Sequence, residues 1–93
     1  IYLNADKGIF NQSSGEILLE SNIEIYTEAD KKIFAELANV NTNNKIITLE
    51  KNVKYQDSSI FISADKSVIN NEFSKITYYG NVKSKILKDK IYE

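Results

Sequence analysis

The sequence predicts a small all-β domain, a twisted antiparallel β-jellyroll of about six strands made from three repeated strand pairs. Three features predict it: a unit that recurs every 29–30 residues, strict period-two alternation in the second half of each unit, and turn-forming clusters between the halves.

The repeat sets the frame. Asn22-Ile23, Asn52-Val53 and Asn81-Val82 stand 30 and then 29 residues apart, and with these aligned the preceding positions fall into register without a gap. Ala5, Ala35 and Ala64 open the alignment, each followed by a carboxylate at Asp6, Glu36 and Asp65. A small residue comes next at Gly8, Ala38 and Ser67, and an apolar one at Phe10, Val40 and Ile69. Isoleucine then recurs at Ile17, Ile47 and Ile76, with Leu19, Leu49 and Tyr78 two places later.

The second half of each copy reads as a half-buried strand. Ile17, Leu19, Ser21, Ile23 and Ile25 fall on one face, and Leu18, Glu20, Asn22, Glu24 and Tyr26 on the other. In the third copy Ile76, Tyr78, Gly80 and Val82 take the inner face. A helix is disfavoured by the β-branched and aromatic content and by the lack of apolar positions at three-four spacing. The first half of each copy starts with Leu3 and Ala5, Ile33 and Ala35, or Ile62 and Ala64 inward. Its inward parity then flips, because Gly8 and Phe10 lie an odd number of places beyond Ala5. A flip of this kind predicts a β-bulge or bend at the small residue, where the missing bulk relieves crowding.

Turn clusters at 11–15, 28–31, 41–44, 56–59 and 70–72 separate strands expected near 2–10, 16–26, 32–41, 45–55, 59–69 and 74–86. Residues 1–86 are expected to form one domain, with 87–93 as a frayed tail. With no proline in the chain, lysines must guard the sheet edges. Because the chain opens inside an apparent strand, at Ile1-Tyr2-Leu3, the reading allows a trimmed or mature portion of a longer protein whose anchor has been removed.

Composition narrows the function. Twelve basic residues against 13 acidic ones leave a net charge of −1, so no global field draws in nucleic acid. Every basic residue is lysine, which removes the side chain best suited to bidentate phosphate recognition. Cysteine and histidine are both absent, which excludes disulfides, zinc sites and Ser–His or Cys–His nucleophile pairs. No cofactor is called for, and no apolar run approaches the ~20 residues that span a bilayer.

The polar candidates are weak. Asp6, Glu36 and Asp65 are regularly spaced, but equivalent positions in repeats are usually kept by local geometry, here a carboxylate accepting backbone N–H groups at the bend. Lys83, Lys85, Lys88 and Lys90 read as a solvated edge before they read as a phosphate or acidic-partner site. Phe10, Phe34 and Phe61 read as core or near-core residues rather than a base-stacking surface. What remains is the inner face: Ile17, Leu19, Ile23, Ile25, Ile47, Leu49, Val53, Tyr55, Ile76, Tyr78 and Val82. It must be covered either by an opposing sheet or by an apolar ligand.

The ordered motifs Leu-x-Ala-Asp-x-Gly-x-Phe (Leu3 to Phe10), Ile-Leu-Leu-x-x-Asn-Ile-x-Ile (Ile17 to Ile25) and Ile-Thr-Tyr-Tyr-Gly-Asn-Val (Ile76 to Val82) resemble the OstA-like domains of lipopolysaccharide export, most of all the LptC family and next the LptA family. The sequence departs from that pattern where Ser21 and Lys51 replace the glycine that only Gly80 supplies. The resemblance implies a periplasmic, non-enzymatic protein, inner-membrane anchored in its full-length form. Lipopolysaccharide would lie with its lipid A acyl chains along the inner face. The LptA-like bridge and the inner-membrane ABC transporter permeases would be its partners through edge-strand pairing at 2–10 and 74–86. An LptA-like bridge subunit is the nearest alternative. A structural β-repeat of a surface protein is the rival from another class, and antiparallel pairing of 2–10 with 16–26 would exclude a solenoid of that kind.

Overall fold

The structure, a computed structural model, describes residues 2–27, 30–70 and 74–87. Eight strands form one antiparallel sheet: β1 (Tyr2–Asn4), β2 (Lys7–Asn11), β3 (Glu16–Tyr26), β4 (Lys32–Asn41), β5 (Ile46–Gln56), β6 (Ile60–Ile69), β7 (Ile76–Tyr79) and β8 (Lys83–Ile86). β1 and β2 both pair with β3, and β7 and β8 both pair with β6, so each edge is one expected strand interrupted in its middle. The six expected strands are therefore present, in the order of the sequence. Lys7 pairs antiparallel with Glu20 and Phe10 with Ile17, which excludes the solenoid. Leu87 donates its N–H to the Ser59 carbonyl at 2.8 Å, continuing the sheet edge, and the rest of the expected tail, 88–93, lies outside the described residues.

The bulges sit on the opposite strand from the one the parity argument indicates. Ser21-Asn22, Lys51-Asn52 and Gly80-Asn81 all have positive φ, between 50° and 79°. The pairing register slips by one residue there: between Glu20 and Ile23 on β3, and between Glu50 and Val53 on β5. The second-half strand thus carries the extra residue, and the first-half strand passes it with one fewer. Ser21, expected inward, is exposed as a result. Asparagine tolerates the left-handed region better than most residues, which accounts for the Asn common to all three copies.

The repeated carboxylates bind differently from expectation as well. The Asn22 side-chain amide donates to Asp6 at 2.8 Å, and that of Asn81 donates to Asp65 at 2.9 Å. In the first and third copies the carboxylate facing the bulge therefore clamps the left-handed asparagine instead of gathering backbone N–H groups. At Gly80, with φ of 79°, an added Cβ would lie 2.8 Å from the Asp65 carboxylate, so a side chain there would have to push that carboxylate aside, although Ser21 and Lys51 hold the same left-handed position in the other copies.

Turns are closed by asparagine side chains at matching places. The Asn11 Oδ1 accepts from the Ser13 N–H at 3.0 Å, the Asn41 Oδ1 from the Asn43 N–H at 2.9 Å, and the Asn70 Oδ1 from the Ser74 N–H at 3.0 Å.

Ile25, Leu49, Val53 and Ile69 are each 0% exposed. A side chain on one face of a single sheet is buried to that degree only under a second layer. The second layer here is the other half of the same sheet, folded over along the line of bulges. The core draws accordingly on both sides of that line, with Ile25, Ile33 and Tyr55 from one half and Leu19, Ala38, Leu49 and Ile69 from the other.

Candidate functional site

The inner face is ordered into rungs that cross the sheet. One runs Gly8, Leu19, Ala38, Leu49, Ser67, Tyr78, each residue opposite the next. Small and large side chains alternate along it, so the large ones lean over the small ones; a Cβ on Gly8 would already meet Leu19 at 3.2 Å. Ile23 opposite Ala35 and Val53 opposite Ala64 repeat that alternation across the bulges. This explains the small residue in each copy: it admits a neighbour's bulk.

Of the expected site residues, Leu19, Ile23, Ile25, Leu49, Val53 and Tyr55 are buried together in the core. Ile17, Ile47, Ile76 and Tyr78 are half-buried and pack against it. Val82 differs: it is 50% exposed, beyond the end of β7, because its strand is an edge with no neighbour to cover it. Phe10, expected near the core, is exposed for the same reason. Phe34 lies instead against the Tyr26 ring at 6.5 Å, and Tyr26 lies against Tyr2 at the same distance, in an aromatic row away from the core.

Burial thus varies along the inner face. Its middle is closed, while each end holds half-buried or exposed apolar residues beside buried ones: Phe10, Ile17, Val40, Ile47 and Ile76 around the buried Ile69 at one end, and Leu3, Ile60 and Ile62 beside the buried Ile25, Ile33 and Tyr55 at the other. Both ends are apolar. Across the bulges, by contrast, lies a cleft of about 400 Å³ whose rim is mixed in charge and polarity, with Asn22, Glu24, Glu36, Asn52 and Lys54. Among the described residues no group of acidic side chains could hold a metal.

A polar cluster that the sequence reading missed lies at the end of β5. The Tyr55 hydroxyl donates to Asp57 at 2.8 Å, and burial, aided by that bond, pushes its pKa up to about 12. Asp57 also accepts from the N–H groups of Ser59 and Ile60, at 2.7 and 2.9 Å. Those donors, the Ser59 N–H foremost and then the Tyr55 hydroxyl, hold its pKa down at about 2. Tyr78, from the other half, is raised chiefly by burial and then by Tyr55 and Asp57. The usable signal was Asp57-Ser58-Ser59, an Asx turn placed directly after an inward tyrosine. Nearby in the repeat frame, Ser67 is 0% exposed and its hydroxyl has no hydrogen-bond partner.

A family model described as lipopolysaccharide-assembly, LptC-related, matches residues 1–87, nearly the whole chain. The chain belongs to the LptC family. No curated protein matches it. Membership places this LptC-family chain in lipopolysaccharide transport and assembly at the cell envelope, among transport components rather than enzymes. Among the described residues no helix is long and apolar enough to cross a membrane.

Proposed function

We propose that this LptC-family domain carries the acyl chains of lipopolysaccharide between the two halves of its folded sheet, as a periplasmic component of the bridge from inner to outer membrane. The observation that carries this reading is the apolar inner face itself, continuous across both halves and partly open at both ends. Acyl chains would enter at Ile17, Ile47 and Ile76, part the halves, and run past Leu19, Leu49, Val53 and Tyr55. Each methylene buried returns about 0.8 kcal/mol, so several of them offset the parting of two or three core contacts. No bond is made or broken. The unpaired edges, β1–β2 and β7–β8, suit strand addition from the bridge and from the transporter permeases, and residues 1–86 act as one unit anchored at the inner membrane in the full-length protein.

The test is a charge at the open end. Ile47→Asp is half-exposed and leaves the closed middle intact, whereas a charge at Val53 would cost the fold itself. Binding of lipopolysaccharide to Ile47→Asp should fall well below that of Thr48→Asp, one residue along the same strand. Equal binding by the two folded variants would reject an interior site.

A further inference from the structure

One inner rung beside the line of bulges holds a registered pair from each copy: Gly8 with Leu19, Ala38 with Leu49, and Ser67 with Tyr78. The first two pairs are wholly apolar. The third sets two hydroxyl-bearing side chains opposite each other on one face, their Cβ atoms about 5 Å apart. Ser67 is 0% exposed and its Oγ has no hydrogen-bond partner. Ser14, the other buried hydroxyl in that condition, lies in the turn between β2 and β3. Tyr78 is half-buried, and its hydroxyl makes no hydrogen bond among the described residues. Burial foremost, then Tyr55 and Asp57, raise its pKa, so the phenol keeps its proton and remains a donor.

Packing alone does not ask for these hydroxyls. Gly8 and Ala38 fill the place of Ser67 in the other copies, and Leu19 and Leu49 fill that of Tyr78. An unpaired hydroxyl in such a place costs the fold its desolvation and returns nothing. We infer that Ser67 and Tyr78 form a recognition site for a hydroxyl group carried on the acyl chain, so that the interior favours hydroxylated chains over plain ones.

The inference deepens, and rests on, the reading of the inner face as the acyl site. A ligand hydroxyl taken out of water needs both a donor and an acceptor. Two protein hydroxyls side by side supply one of each, whichever way the protons turn. A plain chain lying on the same rung would cover Ser67 and leave it unpaired in the bound state too. Depth fixes where on the chain the group sits. Ser67 stands two residues from Ile69, and Tyr78 two from Ile76, about 7 Å inward from the rung at which chains enter. The hydroxyl therefore belongs within the first few carbons, close to the head of the chain.

The experiment compares 3-hydroxytetradecanoate with tetradecanoate, each below its micelle-forming concentration, by titration calorimetry on the whole chain. The two probes share head and length, so the ratio of their Kd values isolates the added hydroxyl and is not moved by a change in fold stability. The unsubstituted chain should prefer the hydroxylated probe about five- to tenfold, the return on one or two well-made hydrogen bonds. Ser67→Ala introduces the residue that Ala38 already holds at this place, and Tyr78→Phe keeps the ring, so both variants should fold. Each should bring the ratio close to one. A ratio of one in the unsubstituted chain, or a preference that survives both substitutions, would overturn the inference while leaving the lipid reading standing. Binding of neither probe would overturn both.

Discussion

The middle of the inner face and its ends are built from the same repeat yet behave differently. Leu49 and Ile47 are two places apart on β5 and both face inward, but Leu49 is completely buried and Ile47 only half so. On β3 and β5 the difference follows distance to the line of bulges, with Leu19 and Leu49 buried and Ile17 and Ile47 half-buried, while Ile69 on β6 stays buried at the same distance as Ile47. Rungs near that line are roofed by the opposite half; in the rung of Ile17, Ile47 and Ile76 only Ile69 is fully covered. A single sequence pattern therefore yields a packed core at the fold line and an accessible apolar surface away from it.

The largest effects should separate these regions. Leu49→Ala should cost about 2–5 kcal/mol in urea unfolding, within the range for buried Leu truncation, because no neighbour can collapse into the space. Ile47→Ala should cost clearly less. Similar losses at both positions would mean the end rung is as closed as the middle.

A smaller effect of opposite sign is expected at Ser67. It occupies the place held by Gly8 and Ala38 in the other copies, and its buried hydroxyl has no partner. Ser67→Ala should therefore stabilise the domain by about 1 kcal/mol, the desolvation cost of an orphaned hydroxyl. A loss of stability would show that the hydroxyl is satisfied in solution.

The smallest effects concern the cluster of Tyr55 and Asp57 at the end of β5. Asp57, held down at about 2 from 3.8, contributes stability that is complete above pH 3.8 and lost as pH falls through about 2. Tyr55, held up at about 12 from 10.0, contributes stability that is complete below pH 10.0 and lost as pH rises through about 12. Tyr55→Phe should weaken the acid-side contribution, since Asp57 loses one donor and its carboxyl titrates nearer to 3.8; carbon chemical shifts of that carboxyl across an acid titration would read the change. An unchanged Asp57 titration would remove Tyr55 from the cluster.

Much of this was legible in the sequence, and the exceptions have physical causes. Six strands, their order along the chain and ten of the eleven inner positions followed from period-two alternation and from the repeat. The parity flip between Ala35 and Ala38 correctly signalled a bulge, but parity counts residues between inner positions on one strand and cannot say which of two paired strands holds the extra one. The left-handed asparagines decided that, and Gly80-Asn81 carried the clue. The sequence pattern sets Val82 inside and Phe10 near the core because it is the same for central and edge strands; only pairing order shows which strands lack a neighbour. The clamp of Asp6 on Asn22, 16 residues away, depends on strand register and was out of reach of local reasoning.

The central claim is that the inner face, not the outer, meets the acyl chains. Photo-crosslinking residues placed singly at Ile17, Ile47 and Ile76, and at Leu18, Thr48 and Thr77 on the opposite face, would test it in the presence of lipopolysaccharide. The account predicts adducts from the first three positions and none from their neighbours. Adducts from Leu18, Thr48 and Thr77 with none from the inward set would contradict it.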